Sequence, residues 1–488
     1  MDRAHLDSFG RDDDGAILVF WAVGLAVFLG VVALSFDTGR IFSTQSELQS
    51  FADHVALAAA GELDGADDAI TRAQAAAANL IADSQTYGLG GNTLAGAGSY
   101  TLEFFSTLPA ADTTALTSGQ TTNPANAYYA RVTIAPRTVP FTFGAAFYAL
   151  TGNAPANNNV RASAVAGYTQ YACDITPMMF CIPSPSFDAD DPNTRGDMIR
   201  LRSGGNGAAW GPGNFGFLRP STLALDSTGN CAGTGGTGPS LRCVLGAVGS
   251  ITQCFAARGV DTEPGQKVGI TNDALNTRFD MWSGAIKSEM NNPIYAPAPN
   301  VIKGVEPKGG GCNWNNVQPT ADTAALPRDD CFAGGCAPYG DGNWTTGRAN
   351  YVLKNYGGTD PHPGAATRYE YYLAEIAAAG GGGSSTAILS GRSETGRRMC
   401  SANQDPDPER RVLIAAGIDC AANPINGSAT GVPVHQFVKL FITEPVVDNG
   451  GSPNSLDIYG EIIGSAGGPG TGNGNPSGVF HDVVQLYR

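Results

Sequence analysis

The sequence predicts an α+β protein in two parts. An N-terminal transmembrane helix with a helical extension and a small antiparallel sheet comes first, followed by a loop-rich, β-leaning domain containing disulfides. Three observations lead to this. Ala16 to Phe36 runs for 21 residues without a charge, and at about 1.5 Å of helical rise per residue it covers roughly the 30 Å hydrocarbon core of a bilayer. All ten cysteines lie from Cys173 onward, an even number with no C-x-x-C pair, which reads as a disulfide framework rather than zinc sites. The chain has 65 glycines and 30 prolines against 15% charged residues, a composition of long loops and short strands.

The 16–36 run has three competing explanations. A secretory signal has an apolar core of only about 7 to 15 residues, and Ala33-Leu34-Ser35 is the nearby small-x-small site. A soluble core helix carries a polar face, whereas this run is apolar all round. A processed prepilin has glutamate five residues beyond its glycine; here Gly15 is followed at that spacing by Phe20. A membrane span fits better than any of them. Arg3 and Arg11 precede it and only Arg40 follows closely, which favours the N-terminus inside. The expected organisation is a cytoplasmic tail at 1–15, the span at 16–36, a helical extension plus small sheet at 37–171, and a periplasmic, Gly/Pro-rich, cysteine-containing domain at 172–488.

Beyond the span, Ile41, Leu48, Phe51, Ala52, Val55 and Ala59 repeat at helical spacing on one face. Asp64 and Gly65 mark a break. A second, Ala-rich helix is expected from about Ala66 to Asp83. The period then changes to two: Tyr100–Phe105, Tyr128–Ile134 and Val160–Tyr168 read as strands. Later, Tyr369–Ala378 reads as a helix, and 380–385 as a flexible break. Strands are expected at Arg411–Ile418, Gln436–Thr443, Leu456–Ile463 and Val479–Tyr487, the last built into the second domain.

These N-terminal residues carry a resemblance. Gly15 with the apolar span, the Asp37-Thr38-Gly39-Arg40 exit, and Leu48-Gln49 and Ala52-Asp53 leading into Ala56–Ala60 resemble the N-terminal Tad domain of TadG-like (TadE/G-like) proteins of Flp/Tad, or tight adherence, pilus assembly. Arg131-Val132, Val139-Pro140 and the Val160–Ala166 strand are similar to segments beyond the anchor in that family. Pro212–Leu218, Leu275–Asp280 and Phe441–Pro445 look like segments of long Tad-domain proteins. The resemblance implies a non-catalytic pilus-assembly component of the bacterial inner membrane, whose partners are the lipid bilayer and other Tad/Flp proteins. Some relatives carry a von Willebrand A domain with a D-x-S-x-S metal loop. The nearest match is Asp226-Ser227-Thr228-Gly229-Asn230, which reads as an Asp-rich turn. The alternative class is a membrane-tethered extracytoplasmic binding or adhesin module.

The remaining chemistry is sparse. The net charge of −15 and the absence of lysine before Lys267 argue against nucleic acid as a partner. Asp188, Asp190, Asp191 and Asp197 crowd one loop but lack EF-hand spacing, so they read as a solvated turn rather than a calcium site. Gly233 to Gly238 formally matches G-x-G-x-x-G without a preceding strand. His5, His54, His362, His435 and His481 are scattered, and G-x-S-x-G, P-loop and H-E-x-x-H motifs are absent. No catalytic residue, metal or cofactor is assigned, and the expectation is a non-enzyme. The structural disulfide candidates are Cys173, Cys181, Cys231, Cys243, Cys254, Cys312, Cys331, Cys336, Cys400 and Cys420. Sequence neighbours suggest 231–243, 331–336, 173–181 and 400–420 as pairs, with Cys312, Cys331 and Cys336 near His362 as a zinc alternative.

Overall fold

The computed structural model describes residues 14–145, 158–173, 175–204, 210–219, 230–231, 234, 237–248, 254–256, 259–263, 267–308, 311–312, 317–380, 385–390, 399–448, 455–467 and 479–487. The chain divides into two compact units, Met1–Tyr168 with Val483–Arg488, and Thr169–Asp482.

In the first unit a single helix, α1 (Asp14–Ala60), runs without a break from the apolar span into the helical extension. The two stretches meet different surroundings. The most apolar window of the helix has mean hydropathy 2.8 and is not buried by protein at all, while Leu48, Phe51, Ala52, Val55, Ala56 and Ala59 have no exposed surface. The buried set recurs every three to four residues because that spacing returns a side chain to the same helix face. Against it pack α2 (Ala69–Asn79), through Ala73 and Ala77, and a sheet. Alanine keeps the two helix axes close, and Arg72 secures their connection with ion pairs to Glu62 at 2.6 Å, Asp64 at 2.7 Å and Asp68 at 3.0 Å.

The second helix ends earlier than expected. Ala82–Ser84 forms β1, paired antiparallel with β2 (Thr93–Ala95), because those residues find ladder partners instead of continuing the helix. The unit's main sheet has β3 (Tyr100–Phe105), β4 (Tyr129–Ile134) and β7 (Ser163–Cys173) antiparallel in that order, with β5 (Arg137–Thr138) and β6 (Asn159–Val160) forming a small ladder alongside in sequence. Ala130, Val132 and Ile134 point inward with Ala164 and Ala166, as a period of two requires.

The second unit holds a closed sheet that periodicity alone did not reveal. Its strands are β8 (Met178–Cys181), β9 (Met198–Ser203), β10 (Asn214–Arg219), β15 (Val412–Ile418), β16 (Gln436–Ile442) and β18 (Leu456–Gly467). Pairing runs β10 to β8, β15, β16 and β18, then through β9 back to β10. The cycle is a six-stranded barrel, with β8/β15 and β9/β10 parallel and the other pairs antiparallel. Closure leaves none of the six with a free edge to recruit another chain. One face of every strand feeds a single core: Met178, Ile199, Phe215, Leu413, Leu440 and Ile458 belong to it, joined by Leu245 of α3 (Thr237–Gly246) and Leu275 of α4 (Val268–Asn276). Short strands β11 (Cys254–Ala256), β12 (Asp261–Glu263), β13 (Val305–Pro307), β14 (Val317–Pro319) and β17 (Val447–Asp448), helices α5 (Thr345–Tyr356), α6 (Arg368–Ala378) and α7 (Ser385–Ile388), and several short 3-10 turns make up the rest of the unit among the described residues.

The last strand, β19 (Phe480–Leu486), pairs with β7. Its residues from Val483 belong to the first unit, not to the second where they were expected. The unit boundary falls inside β7, after Tyr168, rather than at 171/172.

Burial of charge marks where the second unit is most tightly specified. Arg368 is fully buried at the start of α6 and pairs with Asp329 and with Glu461 at 3.1 Å. Glu461, on β18, also accepts the backbone N–H groups of Arg368 at 2.8 Å and Tyr369 at 2.7 Å, so a strand carboxylate caps the helix. Asp329 accepts N–H groups of Met198, Asp341 and Gly342 at 2.9–3.1 Å. Thr367 and Glu370 add a reciprocal capping box. Replacing Arg368 by Met strands two buried carboxylates and is expected to destabilise the second unit by about 3–5 kcal/mol, read as a lower urea midpoint; a loss under about 1 kcal/mol would mean that water reaches the cluster.

Candidate functional site

The residues with the clearest functional geometry sit where α1 leaves its apolar stretch. Phe36 is the last residue of that stretch and Asp37 the first beyond it. The Asp37 carboxylate is almost wholly buried. It accepts backbone N–H bonds from Thr142 at 3.0 Å, Phe143 at 3.1 Å and Gly144 at 2.6 Å. One turn on, Arg40 lies 3.8 Å from Asp37, donates to Pro140 O at 3.4 Å and to Thr142 Oγ1, and places its guanidinium 5.0 Å from the Tyr87 ring. Burial alone pushes the Asp37 carboxyl up, but the three N–H bonds and the Arg40 charge outweigh it and hold the pKa below the ordinary carboxylate value. A loop about a hundred residues downstream is thereby clasped to the exit turn. The sequence signal was the D-T-G-R exit itself, which named the helix residues but not their partners.

All ten cysteines are paired among the described residues: Cys173–Cys254, Cys181–Cys420, Cys231–Cys243, Cys312–Cys400 and Cys331–Cys336. The two short loops pair as sequence neighbours. The suggested 173–181 and 400–420 bonds do not form. Cys173 on β7 lies directly opposite Cys254 on β11 in the ladder, and Cys181 ends β8 beside the parallel strand β15 that leads into Cys420. Sheet register, which nearness in sequence does not report, chose these partners. The zinc alternative fails because Cys312, Cys331 and Cys336 all carry disulfides, while His362 packs among the Tyr356 and Tyr371 rings.

The acidic loop behaves as a set of turns. Asp188 accepts Asp190 N and Gln436 Nε2, Asp190 accepts Ser465 N, and Asp191 accepts Asn193 N. Asp197 stands apart, near Asp329 and Asp341. Asp329, Cys331 and Asp341 come close enough to suggest a metal, but the Cys331 sulfur is bonded to Cys336 and the Asp329 oxygens are occupied by Arg368 and three N–H groups. The donor set does not fit an ion. The turn at 226–229 and Gly233, Gly235 and Gly236 of the glycine loop lie outside the described residues, as do His5, the 1–13 tail and the 381–384 break. His54 lies 3.8 Å from Asp83, and His435 bonds Phe187 O.

The three later segments that the sequence reading likens to long Tad-domain proteins all lie in the second unit. Pro212–Leu218 runs into β10. In Leu275–Asp280, Leu275 and Phe279 are core residues and Asp280 accepts Trp282 Nε1 at 2.7 Å and Ser401 N at 2.9 Å. In Phe441–Pro445, the carbonyls of Ile442 and Thr443 receive the buried Arg411 guanidinium at 2.7–3.0 Å.

Two outcomes are expected from this chemistry. Burial, then the charges of Asp329 and Asp341, raise the Asp197 pKa to about 6, above the roughly 4 of an unfolded aspartate. The folded protein binds the extra proton, so Asp197 lowers stability progressively from about pH 4 to about pH 6 and by a constant amount above. Asp197→Asn is expected to gain stability relative to the parent protein across that window and to keep the gain at neutral pH; parallel denaturation curves at each pH would contradict it. Removing the long-range Cys181–Cys420 bond by a double Cys→Ala change is expected to cost about 2–4 kcal/mol, measured by the same denaturation.

Residues 15–62 match a family model described as Tad, putative Flp pilus-assembly TadE/G-like. No curated protein and no solved structure matches the chain. The match covers the apolar part of α1, the Asp37–Arg40 exit and the packed extension to just past Ala60, and it supports involvement in Flp/Tad pilus assembly in general. The chain therefore carries at its N-terminus a TadE/G-like Tad domain whose helix is long and apolar enough to cross a membrane.

Proposed function

We propose that the protein is a non-catalytic, membrane-anchored component of Flp/Tad pilus assembly. Residues 16–36 hold it in a bacterial inner membrane, with 1–15 cytoplasmic and the mass from Asp37 onward periplasmic. The observation that carries this reading is the change of surroundings along one unbroken helix. Over the span its apolar side chains have no protein cover; over the extension they form the core of the first unit. Exposed side chains such as Leu18, Phe28 and Leu34 have no stable place in water, and lipid supplies one. Because the helix is continuous, the anchor and the first unit's core are one rigid element rather than a body on a tether.

The five disulfides favour an oxidising compartment for the second unit. The extension also keeps a surface groove lined by Phe42, Gln45, Gln49, Asp53, His54 and Leu486, a helix flank available to related helices of other Tad/Flp proteins. Catalysis is not part of the proposal.

A charge placed at mid-span tests it. Val27→Arg costs about 2.5–3.5 kcal/mol on insertion scales, so the variant is expected to leave the membrane fraction and to abolish surface pili, with general secretion intact. Insertion together with normal piliation would defeat the anchoring mechanism. Intact pili with loss of adhesion to one ligand would instead favour a tethered adhesin.

A further inference from the structure

We propose that the Pro140–Ala145 loop is a second membrane contact, a lipid-interface collar clasped by Asp37 to the exit turn of α1. The inference rests on the anchoring reading above and goes beyond it: the protein meets the bilayer through two segments rather than one.

The loop presents an aromatic face at the end of the apolar run. The Phe143 ring lies 5.5 Å from the Phe36 ring, and the two residues are 54% and 60% exposed. Tyr87 and Leu89 are exposed nearby in the fold: Tyr87 lies over Arg40, and Leu89 N donates to Thr138 O at 2.9 Å. From Thr138 to Val160 the sequence contains no Asp, Glu, Lys or Arg. A charge-free loop that holds the Phe143 ring out beside Phe36 is costly against water, but it suits the headgroup boundary, where amphipathic and aromatic side chains collect. The patch is continuous with the lipid-facing surface of α1, so the occupant that fits it is the same bilayer.

The clasp answers a problem at both ends. A carboxylate one residue past an apolar span is expensive to desolvate unless its oxygens are fully occupied. A tight loop brought to the same depth exposes backbone N–H groups that lipid cannot satisfy. The Thr142, Phe143 and Gly144 N–H groups and the Asp37 oxygens satisfy one another, with Arg40 beside them. Two contacts at one level set the depth and rotation of the anchor, which a smooth apolar helix leaves free.

The test uses the full chain, with one bimane label per protein, in two sets of phospholipid vesicles, one with acyl chains brominated near the headgroup to read positions 143 and 101 and one with chains brominated near the bilayer centre to read position 28. Because the ten native cysteines are paired, an introduced thiol takes the label. Labels go on Phe143→Cys, on Phe28→Cys in the span, and on Thr101→Cys, an exposed strand position. Quenching at position 143 is expected to exceed that at position 101 by at least about twofold and to fall to the position-101 level when Asp37→Ala is added, with position 28 quenched throughout; Asp37→Asn, which keeps an acceptor oxygen, should fall between. If position 28 is quenched while position 143 matches position 101, the collar is overturned and the anchor stands. If position 28 is not quenched, the anchoring reading itself is overturned. Undiminished quenching at position 143 in Asp37→Ala would remove the clasp.

Discussion

One backbone helix passes from a stretch whose apolar side chains no protein covers to a stretch whose apolar side chains form a core, and the first unit is arranged around that change. A helix satisfies its own N–H and C=O groups wherever it lies, so the backbone of α1 is indifferent to the change; its side chains are not. Up to Phe36 they are apolar on every side. From Ile41 onward the apolar residues narrow to a stripe that α2 and the β3-β4-β7 sheet cover. The change takes about one turn, and Asp37 sits in it. Its buried carboxylate is tolerable there only because three N–H groups and a guanidinium meet it. Without a break or hinge in the helix, whatever fixes the span in its surroundings also fixes the first unit's core.

The second unit solves a different problem. Many glycines and prolines leave long connections whose ordering costs entropy, and three devices offset that. Closure of the six-stranded barrel gives every core strand two neighbours. Five disulfides restrict the unfolded chain, three of them closing loops of 81, 239 and 88 residues. Buried arginines bind irregular segments to the sheet: Arg368 joins α6, β18 and the Asp329 loop, and Arg411 gathers the carbonyls at the end of β16. Some glycines follow directly from this packing. A Cβ on Gly216 would come within 2.2 Å of the Trp210 ring, and one on Gly204 within 2.3 Å of it, so the indole fits only because both side chains are missing. Such features define a scaffold. Three of the described histidines fit the same pattern: His54 lies beside Asp83, His362 packs against tyrosine rings and His435 bonds the Phe187 carbonyl.

Much of this was legible in the residues. The 16–36 run, the helical stripe from Ile41 to Ala59, the alternation at Tyr100–Phe105 and Ala130–Ile134, the Arg368–Ala378 helix and the late strands all appear within a residue or two, or a few at the ends, of where spacing put them. These are local properties: an apolar period is written in adjacent residues, and burial of the matching face only ratifies it. The second helix stops short of Asp83, although the residues after Asn79, Leu80 to Asp83, carry an apolar pattern that suits a helix as well as it suits β1. Only the pairing of Ala82 with Ala95 decides between them.

What the sequence by itself determined was the kind and order of elements, the apolar span, the presence of a disulfide framework and the Tad-like character of residues 15–62. Tertiary structure decided which distant residues meet: the barrel closed through β9, Cys173 opposite Cys254, Cys181 with Cys420, the last strand returned to β7, and the 142–144 loop held by Asp37. The physical reason is common to all of them. Periodicity records which side of an element is apolar, but the partner across a ladder or a buried carboxylate is set by register and closure, which depend on the whole chain reaching one packed arrangement.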